Sequence, residues 1–296
     1  MDWKWAKANE KDLARFVNEQ AIDLLNKLPI HDRLELVQDE NGRRTLVKAI
    51  YETLVTQNIR YAFEKYQPEE ETQFIRTPVE LLSTPGEGTC LDLALLFCSL
   101  CFGYDLLPLL IVIEGHAFAA VSLTHKRDEW NTYSPERSRF ESSDLFQGEA
   151  NLAVLKKLVE DEAYIAIECT GFAHSQVLSN AQAPEAKGRI NGVLSFGRAA
   201  RAGAEQLENP ERPFKFAIDI AAAKYIWKIP TEAISHLAET TNVINAEARL
   251  KFDHFNGGEA TVIDASKLKD GANLKAEMET KEMTGGTQIG IKLGSV

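Results

Sequence analysis

Apolar residues recur at three- and four-residue steps along residues 10–27, at Leu13, Phe16, Val17, Ala21, Leu24 and Leu25. That spacing predicts a helix with one buried face. A second helix is predicted over 44–66, with Leu46, Ile50, Leu54 and Ile59 on one side, and Asn41-Gly42 predicts a turn before it. The polar stretch 64–88, cut by Pro68, Pro78 and Pro85-Gly86, predicts a loop around one short helical turn near Val79–Leu82. Cys90–Phe102 is apolar all round and predicts a buried helix. Leu109–Ile113, bounded by Pro108 and Gly115, predicts a buried strand, with further strands at Ala117–Leu123 and Tyr164–Glu168. Helices are predicted at Leu152–Val159 and Leu194–Leu207, and Phe214–Ile229 suits a helix or a strand. Helices followed by a helix that feeds several strands predict an α+β domain.

From about Asn242 the pattern changes to period-two alternation, as in Ala246, Ala248, Leu250 and Phe252. The segment also repeats. Phe255-Asn256-Gly257-Gly258-Glu259-Ala260-Thr261-Val262-Ile263 matches Met283-Thr284-Gly285-Gly286-Thr287-Gln288-Ile289-Gly290-Ile291, and Ala246-Glu247 and Ala276-Glu277 precede the two copies. Each copy predicts strand, Gly-Gly turn, strand. Two hairpins have little core of their own and open edges. The segment 240–296 is therefore expected to pair with its own domain, with another copy of the chain, or with a larger protein partner.

Composition narrows the function classes. Lys and Arg number 33 against 44 Asp and Glu, a net charge of −11. Phosphate backbones and anionic membrane surfaces both call for a basic face, so neither nucleic acid nor membrane is an expected partner. The most apolar stretch, Cys90–Ile113, carries Asp92, Gly103, Asp105 and Pro108, which argues against a membrane span. The first residues, MDWKWAKANEKDL, are charged and lack the apolar core of a secretory signal. Four cysteines are too few for a disulfide scaffold, so a cytoplasmic protein with reduced thiols is expected.

One arrangement of residues can carry chemistry. Thr89 and Asp92 form a capping-box pattern ahead of the apolar run and make Cys90 the first residue of its helix. Unpaired amides and the positive end of the helix dipole favour a thiolate there. The same amides can receive an oxyanion. His116 is a polar residue within an apolar stretch, and Glu168 ends an apolar strand. Neighbouring antiparallel strands would set them side by side, as base and orienting acceptor for Cys90. Each residue also has a plain structural reading: a small core thiol, a satisfied core imidazole and a solvated strand-end carboxylate. Cys98-x-x-Cys101 lies inside the apolar helix without a second ligand pair and reads as core packing rather than a metal half-site. Cys169, next to Glu168 on a strand, should point to the opposite face. No metal or organic cofactor is expected, and no G-x-x-x-x-G-K-[ST] loop is present.

The combination Gln73-x-Ile75-Arg76-Thr77-Pro78, Gly88-Thr89-Cys90-Leu91-Asp92-Leu93-Ala94-Leu95-Leu96, Pro108-Leu109 and Gly115-His116-Ala117-Phe118 resembles a bacterial branch of the transglutaminase-like thiol superfamily. Its core is similar to papain. Ile167-Glu168-Cys169-Thr170 and Phe216-Ala217-Ile218-Asp219-Ile220, with Ala222 and Ile229-Pro230, resemble the same branch, so the likeness covers roughly residues 45–230. It implies a transglutaminase-like domain over 45–235, after an N-terminal helical segment 1–44 and before the β-rich segment 240–296. The nucleophile-bearing helix would pack on an antiparallel sheet. The resemblance implies Cys90 as nucleophile, His116 as general base and Glu168 as third member, where much of the superfamily has Asp. It further implies Gln73 as an oxyanion-side amide, and Arg76 and Asp219 as structural partners or substrate-pocket residues. The function it implies is thiol-dependent hydrolysis of an amide bond in a protein or peptide. The Gly-Gly repeats resemble short β segments at the ends of bacterial conflict-system proteins. That resemblance implies the alternative of a catalytically silent or recruited effector or adaptor in bacterial signalling or antiphage defence, binding partners through the C-terminal repeats.

Overall fold

The computed structural model describes residues 2–4, 10–25, 28, 33–63, 72–83, 86–130, 147–175, 183–232 and the strand segments 260–261, 274–278 and 289–295. The chain divides into two compact units, Met1–Ser235 and His236–Val296.

In the first unit the strands are β1 (Asp2–Lys4), β2 (Arg60–Tyr61), β3 (Thr72–Phe74), β4 (Glu87–Gly88), β5 (Pro108–Ile113), β6 (His116–Ser122), β7 (Tyr164–Ile167) and β8 (Phe214–Asp219). The helices are α1 (Arg33–Leu36), α2 (Glu40–Thr56), α3 (Pro78–Leu82), α4 (Cys90–Gly103), α5 (Glu149–Glu160), α6 (Phe196–Leu207) and α7 (Ile220–Tyr225). The central sheet has the order β7-β6-β5-β8, and every pair in it is antiparallel. The unit is α+β.

Both faces of this sheet are covered, which explains why β5 and β6 read as continuous apolar runs. Alternate residues serve two cores. Leu110, Val112, Ala117, Ala119 and Val121 join the cluster around α4, while Leu109, Ile111, Ile113, Phe118 and Ala120 pack with Leu152 and Leu155 of α5. Helix α4 is apolar on every side because it has no solvent face: Leu91 through Phe102 are all buried. Leu13, Ala14, Val17 and Ala21 belong to the same core as Leu46, Leu93 and Phe97, so residues before and after position 45 share one interior.

The structure corrects or settles the sequence pattern in four places. The helix expected over 10–27 is two 3₁₀ segments, Glu10–Phe16 and Glu19–Leu24. Asn18 breaks it: its backbone is extended, its N–H donates to Ser99 Oγ of α4 at 3.0 Å, and its side chain accepts from Gln20 N at 2.9 Å. The helix expected over 44–66 runs instead from Glu40 to Thr56. Asn41-Gly42 lies in its first turn, because Asp39 caps it by accepting from Gly42 N at 2.9 Å. Cys169 is not on a strand: Glu168 ends the extended run by capping a 3₁₀ turn, Cys169–Phe172. The ambiguous stretch 214–229 is strand β8 followed by helix α7, with Asp219 as the cap between them.

In the second unit β9 (Ala260–Thr261), β10 (Leu274–Met278) and β11 (Ile289–Ser295) form a sheet of order β10-β11-β9. The pair β10–β11 is antiparallel and β11–β9 is parallel. The alternating run 246–252 and both Gly-Gly turns of the repeat lie outside the described residues.

Candidate functional site

The nucleophile candidate is set by its helix cap. Thr89 Oγ1 accepts from Asp92 N at 3.4 Å, and Asp92 Oδ2 accepts from Thr89 N at 2.9 Å, closing the capping box. Asp92 also binds the preceding loop, accepting from Arg76 N at 2.9 Å and pairing with the Arg76 guanidinium at 3.0 Å. Burial pushes Asp92 above its ordinary carboxylate range, opposed by the donors from Arg76 and Thr89. Its full coordination keeps the start of α4 rigid. Cys90, the first residue of the helix, is half-buried, whereas Cys98, Cys101 and Cys169 are buried.

The base candidate is set by a tight hairpin. Ile113 pairs with His116, so the β5–β6 turn is just Glu114-Gly115. Gly115 has φ +67, the left-handed region that glycine enters without cost. His116 is thereby the first residue of β6. The β6–β7 ladder ends at Ala119↔Ile167, and Glu168 follows at the end of β7. Across that end His116 Nε2 meets Glu168 Oε2 at 2.8 Å, with both side chains buried. This occupies one ring nitrogen, and the nearby Cys90 also bears on the ring's ionisation.

The electrostatics agree with a charged pair. Burial opposes the imidazolium, but the Glu168 charge and hydrogen bonds with Cys90 and Glu168 outweigh it and raise His116 well above the usual histidine range. Burial likewise pushes Glu168 up, yet the His116 charge and the donors from His116 and Thr170 reverse this and hold it at about 2.

Glu168 is itself tightly held. Thr170 donates to Oε1 from its backbone N–H at 3.0 Å and from its hydroxyl at 2.8 Å. Gln206 Nε2 donates to Glu168 Oε2 at 3.1 Å and to Glu185 Oε2 at 2.8 Å, and Arg212 pairs with Glu185 at 2.9 Å. A primary amide has two N–H donors, so Gln206 can bridge two buried carboxylates. It reaches them because α6 lies directly on β7: a Cβ at Gly203 would come within 2.8 Å of the Ala166 and Ile167 backbone.

Of the three residues expected from sequence, His116 and Glu168 are hydrogen-bonded to each other, and Cys90 lies near enough for its thiol to bear on the ionisation of His116. Gln73 lies half-buried in β3, paired with Trp3 of β1. A further neighbour of Cys90 is a residue the sequence did not single out, Tyr61 on β2, whose phenol is pushed upward by burial and then by the nearby Cys90. Gln206 did leave a signal. It falls on the stripe Ala199, Ala202, Gly203, Gln206, which is the buried face of an amphipathic helix and has one polar member. Tyr61 left none, because β2 pairs with only two residues of β4 and shows no periodicity.

Cys98 and Cys101 are both pushed upward by burial, as an apolar core requires. Among the described residues, no three or more His, Cys, Asp or Glu side chains are grouped so as to hold a metal ion. Among the same residues, no helix is long and apolar enough to cross a membrane. No family model, curated protein or solved structure matches the chain.

Proposed function

We propose that this protein is a thiol-dependent hydrolase with a transglutaminase-like, papain-like core, acting on an amide bond of a protein or peptide. The observation that carries this reading is the buried His116–Glu168 pair, whose ionisation responds to Cys90, a half-buried thiol at the start of a buried helix. His116 holds the proton given up by Cys90, and Glu168 orients the ring and stabilises its charge. Cys90 Sγ attacks the amide carbonyl, and the π pair moves to oxygen. The tetrahedral adduct then collapses to a thioester, and the leaving amine takes the proton from the imidazolium. Water, deprotonated by His116, cleaves the thioester in the second half. Each group in this scheme is a side chain, so the chemistry calls for no metal or organic cofactor. The preference for water over an acceptor amine rests on the superfamily resemblance. Gln73 remains assigned to the oxyanion side by the same resemblance.

The test is selective alkylation. At mildly acidic pH an ordinary thiol is almost wholly protonated, so Cys90 should react with iodoacetamide far faster than Cys98, Cys101 or Cys169. Peptide mapping by mass spectrometry reads the site. Equal, slow labelling of all four removes the catalytic reading.

A second reading concerns recruitment. The division of the chain at Ser235/His236 supports residues 240–296 as an appended module that binds a larger protein or a second copy. Under this reading, deleting 240–296 abolishes assembly but leaves Cys90 alkylation intact, as size-exclusion chromatography and the labelling assay would report.

A further inference from the structure

The segment 59–62 crosses the start of α4 and is bonded along both edges. Arg60 N donates to Gly86 O at 2.9 Å and Ala62 N donates to Gly88 O at 2.8 Å, on the strand that leads into Thr89 and Cys90. On the other edge Tyr61 N donates to His174 O at 3.0 Å and His174 N donates to Ile59 O at 2.7 Å. This backbone frame sets Tyr61 opposite Gly88, two residues before Cys90, and its half-buried phenol lies near enough to the sulfur for Cys90 to bear on its ionisation. The ring also meets Phe63 edge-on, with centroids 5.3 Å apart.

We propose that Tyr61 is a catalytic residue whose hydroxyl donates to the oxyanion formed when Cys90 attacks a carbonyl. The inference rests on Cys90 being the nucleophile. Before attack the hydroxyl donates to the sulfur, where the negative charge lies. As the C–S bond forms, the carbonyl π pair moves to oxygen, one atom removed from the sulfur, and the sulfur becomes a neutral thioether. The charge the hydroxyl stabilised has moved to an atom that rotation about its C–O bond can reach. The first amides of α4 have no acceptor within the helix and supply the companion donors. When the adduct collapses, the pair returns to the carbonyl, the leaving group departs, and the proton it needs comes from His116. Tyr61 ends each half-reaction with the proton it began with.

Its surroundings suit a donor that never ionises. Burial first, then the nearby Cys90, Glu168 and Glu185, push the phenol above its ordinary range. The hydroxyl therefore stays protonated across the range in which the thiolate acts.

Two reagents separate this role from its rivals in the full-length chain. p-Nitrophenyl acetate acylates a thiolate through a negatively charged tetrahedral adduct. Iodoacetamide alkylates it by displacing iodide at a saturated carbon, with no oxyanion. Tyr61→Phe should slow the acylation phase of p-nitrophenolate release by about 10²-fold, while alkylation at position 90 is unslowed. Unslowed alkylation also shows that the variant is folded with the thiol poised. If Tyr61→Phe acylates as fast as the unmodified chain, the donor role is overturned and Cys90 stands as nucleophile. Equal slowing of both reactions also overturns it, since that is what loss of structure produces. Cys90→Ala tests the underlying reading by itself: if it matches the unmodified chain with both reagents, Cys90 is no nucleophile and both inferences fail.

Discussion

Cys90 and Cys101 stand on one helix, about three turns apart, and carry the same thiol into opposite surroundings. Cys101 lies among apolar side chains with no exposed surface, and burial drives its ionisation out of reach. Cys90, at the first residue, keeps partial exposure and bears on the ionisation of an imidazole and a phenol. The side chain is constant, so reactivity must come from position on the helix and from what β2 and β6 bring to its end. The middle of α4 holds the fold together, and its end is free to do chemistry because capping and Arg76 stabilise it by other means.

If that division is real, substitutions at the two places should give opposite phenotypes. Cys90→Ala should abolish covalent labelling at position 90 and leave the denaturation midpoint nearly unchanged, because the thiol is not part of the closed core. Phe97→Ala should do the converse. Phe97 is fully buried and stacks on Phe172 at 6.3 Å, so its loss should cost about 3–5 kcal/mol in urea denaturation, with Cys90 alkylation retained in the folded fraction. A variant that fails both assays would blur the comparison.

Gln206→Leu probes whether the end of α4 depends on support from α6. It leaves Glu168 and Glu185 each short of a donor, and about 1–3 kcal/mol of stability should be lost. Hydrolysis of the acetyl thioester left by p-nitrophenyl acetate should slow more than alkylation does, because there His116 must take a proton from water, which depends on how Glu168 orients the ring.

The acid limb of stability sharpens the same point. Glu168 falls from 4.5 to about 2 on folding, so between those values the unfolded chain binds more protons. Stability should therefore fall as pH drops through that window, and Glu168→Gln should flatten the fall. His116 has the opposite sign. Its raised ionisation stabilises fully below the ordinary histidine value, and that contribution is lost as pH rises through the folded value. Denaturation midpoints across pH check both. The smallest effect is expected at the caps: Thr89→Ala should cost about 1 kcal/mol. It should exceed Thr77→Ala, because Thr89 serves the buried Asp92 and Thr77 the exposed cap of α3.

Local chemistry was legible wherever a residue's neighbours in sequence decide its state. The capping box at Thr89 and Asp92, the uniformly apolar α4, the short helix after Pro78 and the two runs that became β5 and β6 all follow from nearby residues. Order in the chain also marked Cys90, His116 and Glu168 as chemically odd for their surroundings. Elements whose fate is set by distant partners were not legible. The break at Asn18 depends on a bond to Ser99, 81 residues away, and the clasp on Glu168 depends on Gln206, 38 residues away.

By itself, then, the sequence determined that α4 is a buried helix, that β5 and β6 are strands, and where a thiol meets the positive end of a helix, because capping and periodicity act within a few residues. The tertiary structure decided that the His116 imidazole meets the Glu168 carboxylate. The two lie 52 residues apart in sequence and meet only once both faces of the sheet are packed, and no short-range pattern records where they will meet.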